Sequence, residues 1–366
     1  MQRLWRKLNI TILYLSFIHI FNLNYYNMNI LITGGCGFIG SNFINYFFNE
    51  ISNKYHLEFN LVNIDCINYC SNIENIEENI RNKDNYFFYQ ENICNKDFIL
   101  SLLKKHNITH IIHFAAQSHV QNSFNNSLDY SNDNILGTHV LLESSRIYNK
   151  LKLFIHISTD EVYGESLLNE NELQKNEQSI LCPTNPYAAT KAAAELIAKS
   201  YYYSFKLPII ITRGNNVYGP NQYPEKVIPR FIELLLKNEK ITIQGDGSNV
   251  RGFMHVKDTC SAIENILFSG IIGEIYNIGC DENSEISIIQ LAKILIQKIK
   301  NDDNFHKYIS YIQDRPFNDK RYYISNHKLC NLGWKQNISF EKGIEQLIDY
   351  TKNNNKSFKN NLPLTL

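Results

Sequence analysis

"NILITGGCGFIG", residues 29–40, is the stretch on which the reading of the whole chain turns. Ile30 to Thr33 form the short apolar pattern of a buried strand, and Gly34, Gly37 and Gly40 follow at the spacing of a tight turn that opens a helix. Glycine permits the turn and lets backbone N–H groups and the helix N-terminus come close to a pyrophosphate. A glycine pattern alone is weak evidence. Here a strand pattern precedes it, the helical period of "FIGSNFINYFFNE" follows it, and Asp65 ends the next strand pattern, "FNLVNID". An acid at that position accepts from an adenosine ribose 2′-hydroxyl and repels a 2′-phosphate, so the expected dinucleotide is NAD rather than NADP.

The same alternation runs onward from this unit. "YFFY" (86–89), "THIIHFAA" (109–116), "KLFIHIST" (152–159) and "LPIIITR" (207–213) read as further buried strands, separated by helical patterns such as "PYAATKAAAELIAKSYYYS". Repeated βα units predict an α/β fold, a Rossmann-type doubly wound parallel sheet. Beyond residue 214 the pattern loosens into glycine and proline turns, a helix near 286–300 and the polar stretch "QDRPFNDKRYY", which reads as a smaller mixed lobe. The expected division is an N-terminal extension over 1–27, a dinucleotide-binding domain over 28–213 to which segments near 250–278 return, a substrate lobe mainly over 214–350, and a frayed tail over 351–366.

Bulk properties narrow the partners. The 366 residues are 44% hydrophobic, enough for a sizeable core. Lys plus Arg and Asp plus Glu each number 36, so no electrostatic footprint points to nucleic acid or an anionic membrane. Eight cysteines lie scattered without CxxC spacing, which predicts neither a metal site nor a disulfide framework and fits a reducing, cytoplasmic setting. Residues 1–27 carry three basic residues and an apolar run from Ile10 to Phe21. That run falls short of the roughly 20 apolar residues of a membrane helix, and Met28 directly precedes the first strand, so the segment reads as a dispensable extension, with a leader or anchor as the alternatives.

Two constellations carry chemistry. "TDEVYG", residues 159–164, sets Thr159, Asp160 and Glu161 where the fifth strand pattern ends, the edge of an α/β sheet at which ligands bind. A solvated turn is the commoner reason for an Asp-Glu pair. "YAATK" sets Tyr187 and Lys191 four residues apart, on one face of a helix. A tyrosine, ordinarily ionising near about 10, serves as a base near neutrality only if a nearby cation lowers it. Taken with the glycine loop, the functional reading of both constellations outweighs the structural one. Side chains alternate faces along a strand, so both acids reach one substrate only if the strand has ended by Asp160.

Together these residues resemble the extended short-chain dehydrogenase/reductase family over nearly all of residues 28–350. "TDEVYG" resembles the nucleotide-sugar 4,6-dehydratases, and "DCINYCSNIENI", "HFAAQSHVQNSF", "PTNPYAATKAAAE", "NNVYGPNQYPEKVIPRFI", "GDGSNVRGF", "YNIG" and "RPFNDKRY" resemble, in order, the dTDP-glucose or UDP-glucose 4,6-dehydratases of its eukaryotic branch. The resemblance implies bound NAD, a nucleotide-sugar substrate and a homodimer made through the helices near 132–147 and 186–204. It implies that Tyr187, with Thr159 and Lys191, takes the sugar 4-hydroxyl proton, that Glu161 takes the C5 proton, and that Asp160 protonates the departing 6-hydroxyl. Cofactor contacts would come from Gly34, Gly37, Phe38, Ile39, Gly40, Asp65, Asn68, Asn92, Ile93, Ala115, Ala116 and Ser118, besides Tyr187 and Lys191. Ser118, Asn216, Lys226, Arg251, Asn277, Arg315 and Asn318 would hold the substrate. Asn92, Cys66 and Gln121 depart from the usual family residues, which implies altered cofactor contacts without loss of the site, and the departures at Gln244 and Asn318 leave the nucleotide, dTDP or UDP, open.

Two other functions compete with 4,6-dehydration. An NAD-dependent nucleotide-sugar epimerase or decarboxylase of the same fold would need no acid pair. A catalytically silent NAD-binding protein would have no use for an ionisable Tyr-Lys pair at a strand-end crevice.

Overall fold

The computed structural model describes residues 27–169, 171–281, 284–314 and 317–353. Asn27 is the one described residue of the expected extension over 1–27, and it opens the first strand. The expected tail is helical as far as Asn353, beyond which it lies outside the described residues. Among the described residues no helix is long and apolar enough to cross a membrane.

The predicted strands form as one sheet: β1 (Asn27–Thr33), β2 (Glu58–Asp65), β3 (Tyr86–Gln90), β4 (His110–His113), β5 (Leu153–Thr159) and β6 (Ile209–Gly214). Their order in space is β3-β2-β1-β4-β5-β6, every pair is parallel, and Ile275–Ile278 adds a seventh strand beside β6. A sheet covered on both faces needs apolar residues on both, which is why these strands read as continuous apolar runs and not as alternation. Ile30, Ile32, Ile112 and Ile155 face one core, and Leu31, Ile111, Phe154 and Ile211 face the other. The chain order reverses between β1 and β4, so the ligand crevice opens at the carboxyl ends of those strands.

Four helices flank the sheet, α1 (Phe38–Tyr46), α2 (Lys96–Lys105), α3 (Gly137–Tyr148) and α4 (Pro186–Phe205), of which α1 and α4 line that crevice. α4 starts sharply because Asn185 caps it, its Oδ1 accepting the Ala188 N–H at 2.8 Å, with Pro186 at the first turn. β4 is shorter than the 109–116 run predicts. Phe114 and Ala115 leave the ladder to pass over the glycine turn, where a Cβ on Gly34 would lie 2.6 Å from the Ala115 nitrogen.

The C-terminal lobe holds a three-stranded sheet, with Val250–His255 between Asn216–Tyr218 and Glu285–Ser287, and a two-stranded pair of Ile241–Gln244 with Ile309–Ile312. Its core joins Phe231, Leu235, Leu291, Leu295 and Ile344. Of the segment expected to return to the main domain, Ile275–Ile278 enters the large sheet and helix Val256–Ser269 packs against α1. Val250–His255 stays with the smaller sheet, since it pairs on both edges there.

Candidate functional site

Two cavities adjoin at the carboxyl edge of the large sheet. The larger is lined by Gly34, Gly37, Phe38, Ile39, Gly40, Asp65, Asn68, Asn92, Ile93, Ala115, Ala116, Ser118, Tyr187 and Lys191, which brings together every residue expected at the cofactor. The smaller is lined by Thr159, Asp160, Glu161, Asn215 and Asn216, and the two share Tyr187, Ser118 and Lys226. The Tyr187 phenol thus stands at the junction of the two chambers.

The larger cavity fits a dinucleotide. A Cβ on Gly37 would meet only the Gly34 carbonyl, at 3.3 Å, so nothing screens the start of α1 from the cavity, and a Cβ on Gly40 would lie 2.3 Å from that same carbonyl. Asp65 is fixed by two backbone donors, Cys36 N–H at 2.9 Å and Ile67 N–H at 2.8 Å. A carboxylate has lone pairs beyond those two bonds, so it can still accept from a ribose.

β5 ends at Thr159, and residues Asp160–Tyr163 form a turn of 3₁₀ helix capped by the Thr159 hydroxyl, which accepts the Glu161 N–H at 3.3 Å. This break in the strand is what allows neighbouring acids to line one cavity, as the sequence required. Gly164 closes the turn at φ +76°, where a Cβ would lie 2.1 Å from the Cys182 carbonyl. Another residue type there would displace the turn.

The environments of the two acids differ. Asp160 is 2% exposed. Its oxygens accept from Asn215 Nδ2 at 2.6 Å and Thr159 Oγ1 at 3.2 Å. Burial, and after it the Glu161 charge, push its carboxyl up to about 7, against the lowering effect of those bonds and of Arg251. Repulsion between the acids is therefore the second cause and desolvation the first. Glu161 is also raised by burial, but Asn185 Nδ2 bonds it at 3.0 Å and both Arg251 and Lys226 oppose the rise.

The folded protein holds the Asp160 proton well above the unfolded carboxylate range, so this residue opposes folding increasingly as pH rises from about 4 through about 7. Asp160→Asn is expected to gain stability on the order of 2 kcal/mol more at pH 8 than at pH 5, since the amide carries no charge to bury. Urea unfolding at the two pH values measures this, and an equal change at both would contradict it.

Tyr187 departs from the expectation of a lowered phenol. Burial and the Glu161 charge raise it, and the hydrogen bond with Thr159 only partly offsets them. Lys191 is nearly buried, lowered to about 8 by desolvation, and its Nζ donates to the Ile157 carbonyl at 2.6 Å. The ammonium by itself does not produce an ionised tyrosine.

The substrate residues divide. Ser118, Asn216 and Lys226 line the cleft, and Lys226 Nζ donates to the Ser118 carbonyl at 3.0 Å. Arg251 stands over the Tyr322 ring at 4.8 Å and donates to Asn318 Oδ1 at 3.3 Å. Arg315 lies outside the described residues. Asn277 is not brought to the cleft: it is fully buried, its amide spent on the Tyr163 hydroxyl at 2.8 Å and the Lys175 carbonyl at 3.1 Å. The sequence reading overlooked Asn185 and Asn215, which hold the acids, and Tyr322, whose hydroxyl lies 3.4 Å from Glu161 Oε2 and donates to Asp319 at 2.5 Å. For Asn185 a signal existed in the N-cap pattern before Pro186.

Fold and site together define the class, a short-chain dehydrogenase/reductase of the extended type with an added acid pair. The chain belongs to the GDP-mannose 4,6 dehydratase family, whose model matches residues 31–347. It is 44% identical to the dTDP-D-glucose 4,6-dehydratase of Dictyostelium discoideum, over 90% of this chain and 83% of that one. It is 42% identical to the trifunctional UDP-glucose 4,6-dehydratase/UDP-4-keto-6-deoxy-D-glucose 3,5-epimerase/UDP-4-keto-L-rhamnose-reductase of Arabidopsis thaliana, over 90% of this chain but 48% of that longer protein. Among solved structures it superposes on a dTDP-glucose 4,6-dehydratase from Streptomyces venezuelae with NAD bound, with a TM-score of 0.83 and 32% identity, covering 89% of this chain and 98% of that one.

Proposed function

We propose that the chain is an NAD-dependent hydro-lyase that converts dTDP-glucose or UDP-glucose to the 4-keto-6-deoxy sugar nucleotide and water. The observation that carries this reading is the acid pair on the turn after Thr159, in a chamber that meets the cofactor cavity at Tyr187. NAD, when bound along Gly34–Gly40 and Asp65, supplies the hydride acceptor for C4 and the hydride donor for C6. Tyr187 takes the 4-hydroxyl proton, with Thr159 bonded to the phenol and Lys191 one helical turn away. A ketone at C4 acidifies the C5 proton, which Glu161 removes. Asp160, holding its proton near neutrality, delivers it to the departing 6-hydroxyl. Lys226, Arg251, Asn216 and Asn318 bind the nucleotide diphosphate, for which a guanidinium fork is suited.

The outward faces of α3 and α4 support a homodimer through these helices. Leu196, Tyr203 and Phe205 of α4 are 58%, 68% and 52% exposed and Ile147 of α3 is 40% exposed, apolar surface that a second copy could cover. Eight free thiols support a cytoplasmic location.

Incubating the protein with NAD and either sugar nucleotide tests the activity, read as the alkali-induced ultraviolet absorbance of a 4-keto-6-deoxy sugar. Signal from one nucleotide or both is expected. No signal from either, with NAD binding demonstrated, would overturn the reading and favour an epimerase.

A further inference from the structure

We propose that Asn185 is a positioning residue for Glu161, a role separate from its capping of α4. This rests on the dehydratase reading, in which Glu161 is the base at C5. The 5% exposed amide is used at both ends: Oδ1 accepts the Ala188 N–H at 2.8 Å and Nδ2 donates to Glu161 Oε2 at 3.0 Å. The cap fixes which end is which. A flipped amide would set its N–H₂ against the Ala188 N–H, so the donor necessarily faces the carboxylate.

No other side chain does this work at normal bond length. The Tyr322 hydroxyl is 3.4 Å from the same Oε2, but its one proton is directed to Asp319 Oδ2 at 2.5 Å. Among the described residues no hydrogen bond reaches Oε1, so pinning Oε2 leaves Oε1 as the atom that takes the proton. Asn185 also stands two residues before Tyr187, with Pro186 between them at the start of α4. One amide therefore ties the helix that carries the C4 base to the turn that carries the C5 base, and sets the spacing of the two.

Cap-preserving variants separate the two roles. Asn185→Ser keeps an N-cap oxygen but, one bond shorter, no longer brings a donor to Glu161 Oε2, and Asn185→Asp keeps the shape and the cap acceptor while facing Glu161 with a second carboxylate. Serine caps about as well as asparagine, so Asn185→Ser should melt within about 3 °C of wild type, whereas Asn185→Asp buries a like charge against Glu161 and should melt lower as pH rises above the carboxylate range. kcat for ketosugar formation should fall about 10- to 100-fold in Asn185→Ser with KM within about threefold, because the interaction serves the proton transfer more than ground-state binding. The acid limb of the kcat–pH profile should move up in Asn185→Ser and further in Asn185→Asp, since a carboxylate that loses a donor, or gains a like charge, ionises less readily. Both variants keeping wild-type kcat and acid limb, beside an active wild type, would overturn the positioning role alone. A wild type that forms no ketosugar would overturn the dehydratase reading and this role with it.

Discussion

Glu161→Gln is expected to stop the reaction between its two halves. The variant should still bind NAD and oxidise the sugar at C4, so reduced-nicotinamide absorbance builds up on mixing. Ketosugar release and incorporation of solvent deuterium at C5 should fall together, by about 10³-fold, within the range of a lost general base. Asp160→Asn should fall by a similar factor in release while keeping some exchange at C5, because its base remains. Burial raises both acids and an amide bonds each, but the Glu161 charge pushes Asp160 further, up to about 7, whereas Arg251 and Lys226 both favour the charged form of Glu161. If either amide variant retained full turnover, the acid pair would not be the elimination machinery, and an epimerase chemistry would fit better.

The second large effect falls on Tyr187. Removing only its hydroxyl, as Tyr187→Phe, should lower kcat by about 10³-fold, since a positioned acid–base group contributes roughly 10²- to 10⁴-fold. NAD affinity should change by no more than a few-fold, because the glycine turn and Asp65 hold the dinucleotide elsewhere. Reduced-nicotinamide absorbance should not build up in this variant, which separates it from Glu161→Gln. In the protein alone burial and the Glu161 charge raise the phenol, so its use as a base depends on positive charge beyond the Lys191 ammonium. A Tyr187→Phe protein that oxidised C4 at the wild-type rate would remove Tyr187 from the mechanism.

Much of the fold was legible because its determinants are local. A buried parallel strand announces itself as a short apolar run, and the glycine turn and Asp65 announce where the first two strands end. The acids could be placed at the functional edge for the same reason, although only the structure shows the 3₁₀ turn that puts both in one chamber. What was not legible depends on contacts distant in sequence. Asn185 reaches Glu161 across 24 positions, Asn215 reaches Asp160 across 55, and Tyr322 reaches Glu161 across 161. Asn277 shows the converse. Its motif "YNIG" placed it among the substrate residues, but the strand it sits on joins the edge of the large sheet, where its amide binds Tyr163 and the 175 carbonyl. Similarly, β4 ends early because Phe114 and Ala115 must cross the glycine turn, a constraint that apolar periodicity does not carry.

Running the wild-type reaction on the accepted sugar nucleotide in deuterium oxide, with the product determined by NMR, tests the elimination itself. A ketone at C4, a methyl group at C6 and one solvent deuterium at C5 are expected. A product with its 6-hydroxyl intact, inverted at C4 and free of deuterium at C5, would contradict it.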